Sequence, residues 1–471
     1  MRIQFDHAYT TEEVVKITNG ICYGSHVFRA LVTDSREAKK GDLFVALHGE
    51  KDDGRFYIKN ALKNGADAVL CEESATPEKR DILSVPNTMQ ALVALATAAR
   101  RRIAPTVIAI TGSVGKTTLK NTIATTLSMR FRVHKTEKNY NNLLGVCLTL
   151  LSMPSDTEFL VCELGMNHSG EIAELSRIVS PDVAVITNVG TAHIGNLGSR
   201  ENIARAKLEI LEGCADGALF LYPLREELLA VPLSKKLTKM PIGAERDAYC
   251  HYENVRFLEG KIAADYQCAA ASYPGLTIDG IGNHLAEAVC FALCIAHTFG
   301  MNEKEIRSGL LKTSAEEMRQ KVFRLADYTV IEDCYNASPE SVRAALVALK
   351  NTALESGGRQ LALLGDMLEL GRETRILHEG VGVACAEAGI DLLYTFGAAA
   401  ENIAIGAARR GFPKESIRQN PDPSAPEVSA AQVYADLQKN DVLLIKASRA
   451  LAAERILTHL EKYAEEGAYE K

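Results

Sequence analysis

Val107-Ile-Ala-Ile-Thr-Gly-Ser-Val-Gly-Lys-Thr-Thr118 is the stretch on which the fold turns. Its first four residues are a continuous apolar run, as a buried parallel strand shows. Gly112 and Gly115 let backbone N–H groups face an anion. A helical pattern begins near Lys116 and adds the positive end of its dipole. Strand, glycine-rich loop and helix in that order predict a phosphate-binding loop made of Gly112, Ser113, Val114, Gly115, Lys116, Thr117 and Thr118. Lys116 would reach the β- and γ-phosphates of ATP, and the Thr117 hydroxyl would hold Mg²⁺. The general pattern has a further glycine where this chain carries Ile110. A chance glycine-rich turn followed by lysine is the alternative, and the flanking strand and helix count against it.

Outward from this loop the chain alternates strands and helices. Phe159–Cys162 and Val183–Ile186 are further apolar runs, followed by helical patterns over Gly170–Val179 and Ser199–Gly213. From about Ala244 to Ile281 the pattern is β-like and irregular, and a helix follows over about His284–Thr298. Before the loop, short β-like runs (Leu31–Thr33, Leu43–Leu47, Ala68–Cys71) precede a helix over Thr88–Arg102, and Pro105 marks a break. After about Arg319 a second alternating unit appears, with strands near Thr329, Leu361, Leu392 and Val442. The expectation is three α/β domains: 1–104, small and mixed; 105–318, carrying the ATP site; and 319–471, Rossmann-like. The Pro-rich stretch Gln419–Pro426 reads as a surface loop.

With 471 residues the chain exceeds what one core organises. The net charge of −7 argues against nucleic-acid binding, yet a local basic pocket for a small anion is compatible with it. The first residues lack the apolar segment of a signal peptide, and no run approaches the ~20 residues of a membrane span. Eleven cysteines without a Cys-x-x-Cys pair read as reduced thiols of a cytoplasmic protein.

Beyond the loop, Glu163 ends the run Phe159–Cys162. A carboxylate at a strand's carboxyl end in this sheet is well placed for Mg²⁺, though an ordinary turn residue would look the same. His193 follows the strand Val183–Ile186 in Thr187-Asn-Val-Gly-Thr-Ala-His193. Lys207, in a helical pattern, reads by itself as a solvated lysine. Asn139-Tyr-Asn-Asn142 offers amides for phosphate or carboxylate, or is a simple turn.

These segments together resemble the Mur ligase family of peptidoglycan precursor synthesis, over nearly the whole chain. Thr33–Arg36, Gly41–Leu47 and Asp53–Phe56 resemble its N-terminal domain. Thr111–Thr118, Asn139–Gly145, Glu163–Gly170, Asn188–His193 and Ala206–Ile210 resemble its central domain. Asp333-Cys-Tyr-Asn-Ala-Ser-Pro339, Leu364-Gly-Asp-Met-Leu-Glu-Leu-Gly371, His378-Glu-Gly380 and Lys446-Ala-Ser-Arg449 resemble its C-terminal domain and favour the dipeptide-adding member.

The resemblance implies a cytoplasmic, monomeric ligase that joins D-alanyl-D-alanine to UDP-N-acetylmuramoyl-tripeptide through an acyl phosphate. It implies that Thr117 and Glu163 hold one Mg²⁺, and that His193 and a carbamylated Lys207 serve a second. It further implies Arg319 on ATP phosphate, Asp333 near the ribose, and Ser35 and Arg36 at the uridine diphosphate. Asn142, Tyr335, Asn336, Asp366, Lys446, Ser448 and Arg449 would then place phosphate or substrate. The family's adenine segment differs here: Asn283-His284 and Glu287 stand where His-Asn and a later Asn are usual, so Asn283 or His284 takes over that contact. Ala447 replaces a glycine, and Leu164 a methionine. Two rivals stand beside this reading: a relative adding a single amino acid, and a nucleotide-binding homologue without catalysis.

Overall fold

The computed structural model describes residues 1–49, 52–72, 81–232, 235–258, 260–269, 271–313 and 318–469. They form three sheets with helices packed on them, matching the expected three-part α/β organisation. The first is six-stranded and mixed. Its edge strand Arg2–Thr10, not legible in the sequence, is largely polar and buries only Phe5 and Tyr9.

The central sheet has nine strands. Thr106–Thr111 lies between Phe159–Glu163 and Val183–Ile186, parallel to both. Ile110 pairs with Glu163, and Thr111 with Ile186. The carboxyl ends of three neighbouring strands therefore open onto one point, where ligands collect in parallel sheets. At the far edge the irregular stretch resolves into an antiparallel meander, Cys250–Leu258, Lys261–Cys268 and Ala271–Asp279. Helix His284–Thr298 packs on one face of this sheet.

The first two units share a core. Helix Thr88–Ile103 closes the N-terminal unit and packs against helix Leu143–Leu151 of the central one, in a hydrophobic cluster running from Phe5 to Leu229. Leu143–Leu151 is apolar on nearly every face, so periodicity could not reveal it.

The C-terminal sheet has six strands, five of them parallel, with Lys321–Leu325 antiparallel at one edge. Of the Pro-rich stretch, Gln419 and Asn420 end an edge strand and Pro426 opens helix Pro426–Asp436, leaving a short connection between them. Proline suits that first helical position, where no intrahelical N–H is required. Ten of the eleven cysteines are buried free thiols. Among the described residues no helix is long and apolar enough to cross a membrane.

Candidate active site

A cavity of about 800 Å³ opens at the carboxyl end of strand Thr106–Thr111. The loop 112–115 forms its floor, and helix Lys116–Leu127 points its N-terminus into it. The first turn of any α-helix leaves N–H groups without intrahelical acceptors, so the site is built to receive an anion.

The loop is held from the neighbouring strand. The Asn188 carboxamide accepts from Ser113 N at 3.2 Å and Val114 N at 3.0 Å, and donates to Val114 O at 3.0 Å. Thr187 Oγ1 donates to the same carbonyl at 2.6 Å. Gly112 has φ +150°, and a Cβ there would fall inside the Thr187 hydroxyl, so no other residue fits without displacing that anchor. Ile110 lies inside the strand, which is why the pattern is one glycine short.

Thr117 Oγ1 donates to Glu163 Oε2 at 2.9 Å, and both residues are buried. The other carboxylate oxygen, Oε1, accepts from Asn141 Nδ2 at 2.8 Å. The sequence reading chose Asn142 from this segment, but the Asn142 side-chain Oδ1 caps helix Leu143–Leu151 by accepting from Gly145 N at 2.9 Å. Both asparagines line the cavity, and Asn141 is the one that reaches Glu163.

Lys116, Lys207 and Arg319 face the same space, as does Lys446. Lys116 donates to Gly112 O at 2.6 Å. Its pKa is lowered, first by burial; Glu163 opposes that shift and Arg319 adds to it. Lys207 is not the solvated lysine its helical pattern suggested: it is 1% exposed and makes no ion pair among the described residues. Burial, and then Lys116 nearby, push its pKa well below the usual lysine value. The Arg319 guanidinium lies over the Tyr335 ring at 3.9 Å.

The C-terminal unit closes the cavity. Asp333 and Lys446 are register partners on adjacent strands. Lys446 Nζ donates to Asp333 Oδ2 at 2.7 Å and to Asn336 O at 2.9 Å. His193 lines the cavity, and its Nδ1 lies 2.6 Å from Glu369 Oε2, which comes from across the domain boundary.

Some expected residues lie elsewhere. Ser35 is buried in a short turn of the N-terminal unit, and Arg36 beside it is exposed and paired with Asp34. Asp366 accepts from Ala400 N at 2.7 Å through its carboxylate and from Ser448 N at 3.1 Å through its carbonyl. Ser448 Oγ in turn accepts from Leu368 N at 3.0 Å. Arg449 pairs with Glu454 at 2.7 Å. None of these five residues lines the cavity. Asn283 is exposed at the start of its helix, whereas His284 faces the cavity. Burial lowers the His284 pKa to about 4 and raises that of Glu287 to about 7. Sequence reasoning missed Asn141, Glu340 and Glu369 as individual residues, since only the fold shows which member of a polar run turns inward.

Three family models match in chain order: "Mur ligase family, catalytic domain" over residues 28–103, "Mur ligase middle domain" over 110–296, and "Mur ligase, glutamate ligase domain" over 318–449. The UDP-N-acetylmuramoyl-tripeptide–D-alanyl-D-alanine ligase of Bacillus subtilis is 34% identical, over 93% of this chain and 94% of its own. Among solved structures, MurF from Acinetobacter baumannii superposes with a TM-score of 0.86 at 27% identity, covering 98% of this chain and 100% of that one. The MurF ligase of Thermotoga maritima in complex with ADP superposes with a TM-score of 0.83 at 30% identity, covering 93% and 98%. The chain belongs to the Mur ligase family of ATP-dependent ligases.

Proposed function

We propose that the chain joins D-alanyl-D-alanine to UDP-N-acetylmuramoyl-tripeptide at the expense of ATP, releasing ADP and phosphate. ATP phosphorylates the terminal carboxylate of the tripeptide. The dipeptide amine attacks the acyl phosphate, phosphate leaves, and an amide remains. Such a reaction needs little covalent help from the protein; it needs positive charge and orientation where phosphoryl charge moves. The observation that carries the reading is the convergence of the Lys116 and Arg319 cations on one cavity beside the phosphate loop, the Thr117–Glu163 pair and the buried Lys207 amine.

In this assignment the loop 112–118 and Lys116 hold the β- and γ-phosphates, and Arg319 reaches them from the C-terminal unit. Asp333 stands toward the ribose, and His284 rather than Asn283 toward adenine. Thr117 and Glu163 offer adjacent oxygen ligands for one Mg²⁺, oriented by Asn141; His193 and Lys207 serve a second. Bound Mg²⁺ neutralises phosphate charge and polarises the transferred group. Lys207 fits that role as a carbamate. Burial lowers the pKa of this amine and so favours the unprotonated form that adds to CO₂; the product, with loss of one proton, would be an anion facing Lys116.

Residues 1–104 take the UDP end, with Ser35 and Arg36 as contacts, 105–318 the ATP, and 319–471 the dipeptide. Tyr335, Asn336 and Lys446 line the cavity and are assigned to the substrates. Asp366 and Ser448 shape a loop at its rim, and Arg449 stands outside it. The family resemblance points to a monomer, and the ten buried cysteines fit a reducing compartment such as the cytoplasm.

The acceptor is tested by ADP release from UDP-N-acetylmuramoyl-tripeptide and ATP with D-alanyl-D-alanine against single amino acids. Stimulation by the dipeptide is expected. Stimulation by a single amino acid alone would assign the chain to another acceptor, and none at all would favour a non-catalytic homologue.

A further inference from the structure

The segment from Gly190 to Leu197, which carries His193, is gripped by the C-terminal unit at four points. Thr191 N and Oγ1 each donate to Glu340 Oε1 at 2.9 Å, from the first turn of helix Pro339–Ser356. His193 Nδ1 lies 2.6 Å from Glu369 Oε2. Gly195 N donates to Glu369 O at 3.0 Å, and a Cβ on Gly195 would come within 2.6 Å of Gly371 N. Ile194 packs against the hydrophobic core of the C-terminal unit.

Both facing residues carry backbone in the left-handed region: His193 at φ 65° and Glu369 at φ 64°. Non-glycine residues hold that conformation at a cost of about 1 kcal/mol or more and persist there when their surroundings impose it. On the C-terminal side the surroundings are plain. Leu368 N donates to Ser448 Oγ at 3.0 Å, and Met367 N donates to His378 Nε2 at 3.0 Å. The loop is thus built to present one carboxylate.

We propose that Glu369 and Glu340 are positioning residues that couple docking of the C-terminal unit to the setting of His193. The Glu369 carboxylate lies against Nδ1, which leaves Nε2 as the ring nitrogen open to a cation in the cavity. The histidine is so set only when the C-terminal unit is docked, which withholds a complete site from the open enzyme and guards ATP against hydrolysis by water. This rests on the ligase reading above, with His193 at the second divalent cation.

The test uses the full chain with a non-hydrolysable ATP analogue and Mn²⁺, following cation binding by electron paramagnetic resonance and domain closure by small-angle X-ray scattering. Glu369→Ala should leave analogue affinity within about twofold but weaken the second Mn²⁺ by about 10–100-fold, as loss of a partner behind a metal-bound histidine does. Glu369→Gln, which keeps an acceptor oxygen, should recover part of that affinity. Glu340→Ala and Gly195→Ala should lower the closed fraction without changing the first Mn²⁺. Thermal melting checks that each variant folds, and Glu369→Gln carries the test if Glu369→Ala does not. Unchanged second-site affinity in both Glu369 variants, or unchanged closure in both Glu340→Ala and Gly195→Ala, overturns the proposal. A wild-type chain that binds the analogue with only one Mn²⁺ instead overturns the reading on which it rests.

Discussion

Replacing Lys116 with alanine should separate activity from stability. The ammonium sits over the phosphate loop, half-buried, with its own pKa lowered chiefly by desolvation. In the presence of ATP it faces the transferred phosphoryl group. A unit charge pair ~4 Å apart at an effective dielectric of about 20 interacts by ~4 kcal/mol. Removal of a single preorganised donor from an oxyanion costs about 2.7–4 kcal/mol. The two figures agree on a loss of ~3–5 kcal/mol, or roughly 10²- to several-thousandfold in kcat/KM. The folded chain without nucleotide tells a different story. It loses one hydrogen bond, to Gly112 O at 2.6 Å, worth about 1 kcal/mol, and is relieved of a half-buried cation. Folding stability should therefore change by less than ~1 kcal/mol, and Lys116→Met, which fills the space, should melt at or above the wild-type temperature. Phosphate release measures the first quantity, and urea denaturation the second. Near-normal ligation by Lys116→Ala would refute the assignment of the phosphate site. A loss of several kcal/mol in stability would show that the lysine is structural.

Lys207→Ala should be nearly inactive, and added short-chain carboxylic acids should restore part of the turnover by supplying the missing anion; failure of rescue in a folded variant would count against the carbamate. Asn141 and Asn142 should part company. Asn142→Ala removes a helix cap and should cost about 1 kcal/mol in denaturant midpoint measurements, whereas Asn141→Ala leaves a buried carboxylate short of a charged hydrogen bond and should lower kcat about tenfold or more, by ~1.5–3 kcal/mol. His284, neutral down to about pH 4 when folded against 6.5 ordinarily, binds its proton earlier in the unfolded chain. Its contribution to stability therefore rises with pH across that window and is lost as pH falls through it, by at most ~3 kcal/mol. His284→Gln should flatten that part of the acid limb in urea titrations at several pH values; an unchanged slope would show that the ring is solvated.

Much of the site was legible because its chemistry is local. The loop from Gly112 to Thr118 must follow a buried strand and open a helix, and both leave periodic traces in the residues around it. Strand-end positions such as Glu163, Asp333 and Lys446 could be listed from apolar runs alone. Tertiary structure decided the rest. Lys207 sits in a polar-looking helix and is buried only because that helix lies against the cavity. Of the run Asn139–Asn142, capping geometry sends one amide to the backbone and the next to Glu163. Asp366 and Ser448, read in the sequence as substrate contacts, turn out to brace the loop that presents Glu369. Glu369 meets His193 although 176 residues separate them, counted from their numbers. Such a contact belongs to no pattern along the chain, since it depends on how two separately folded sheets dock.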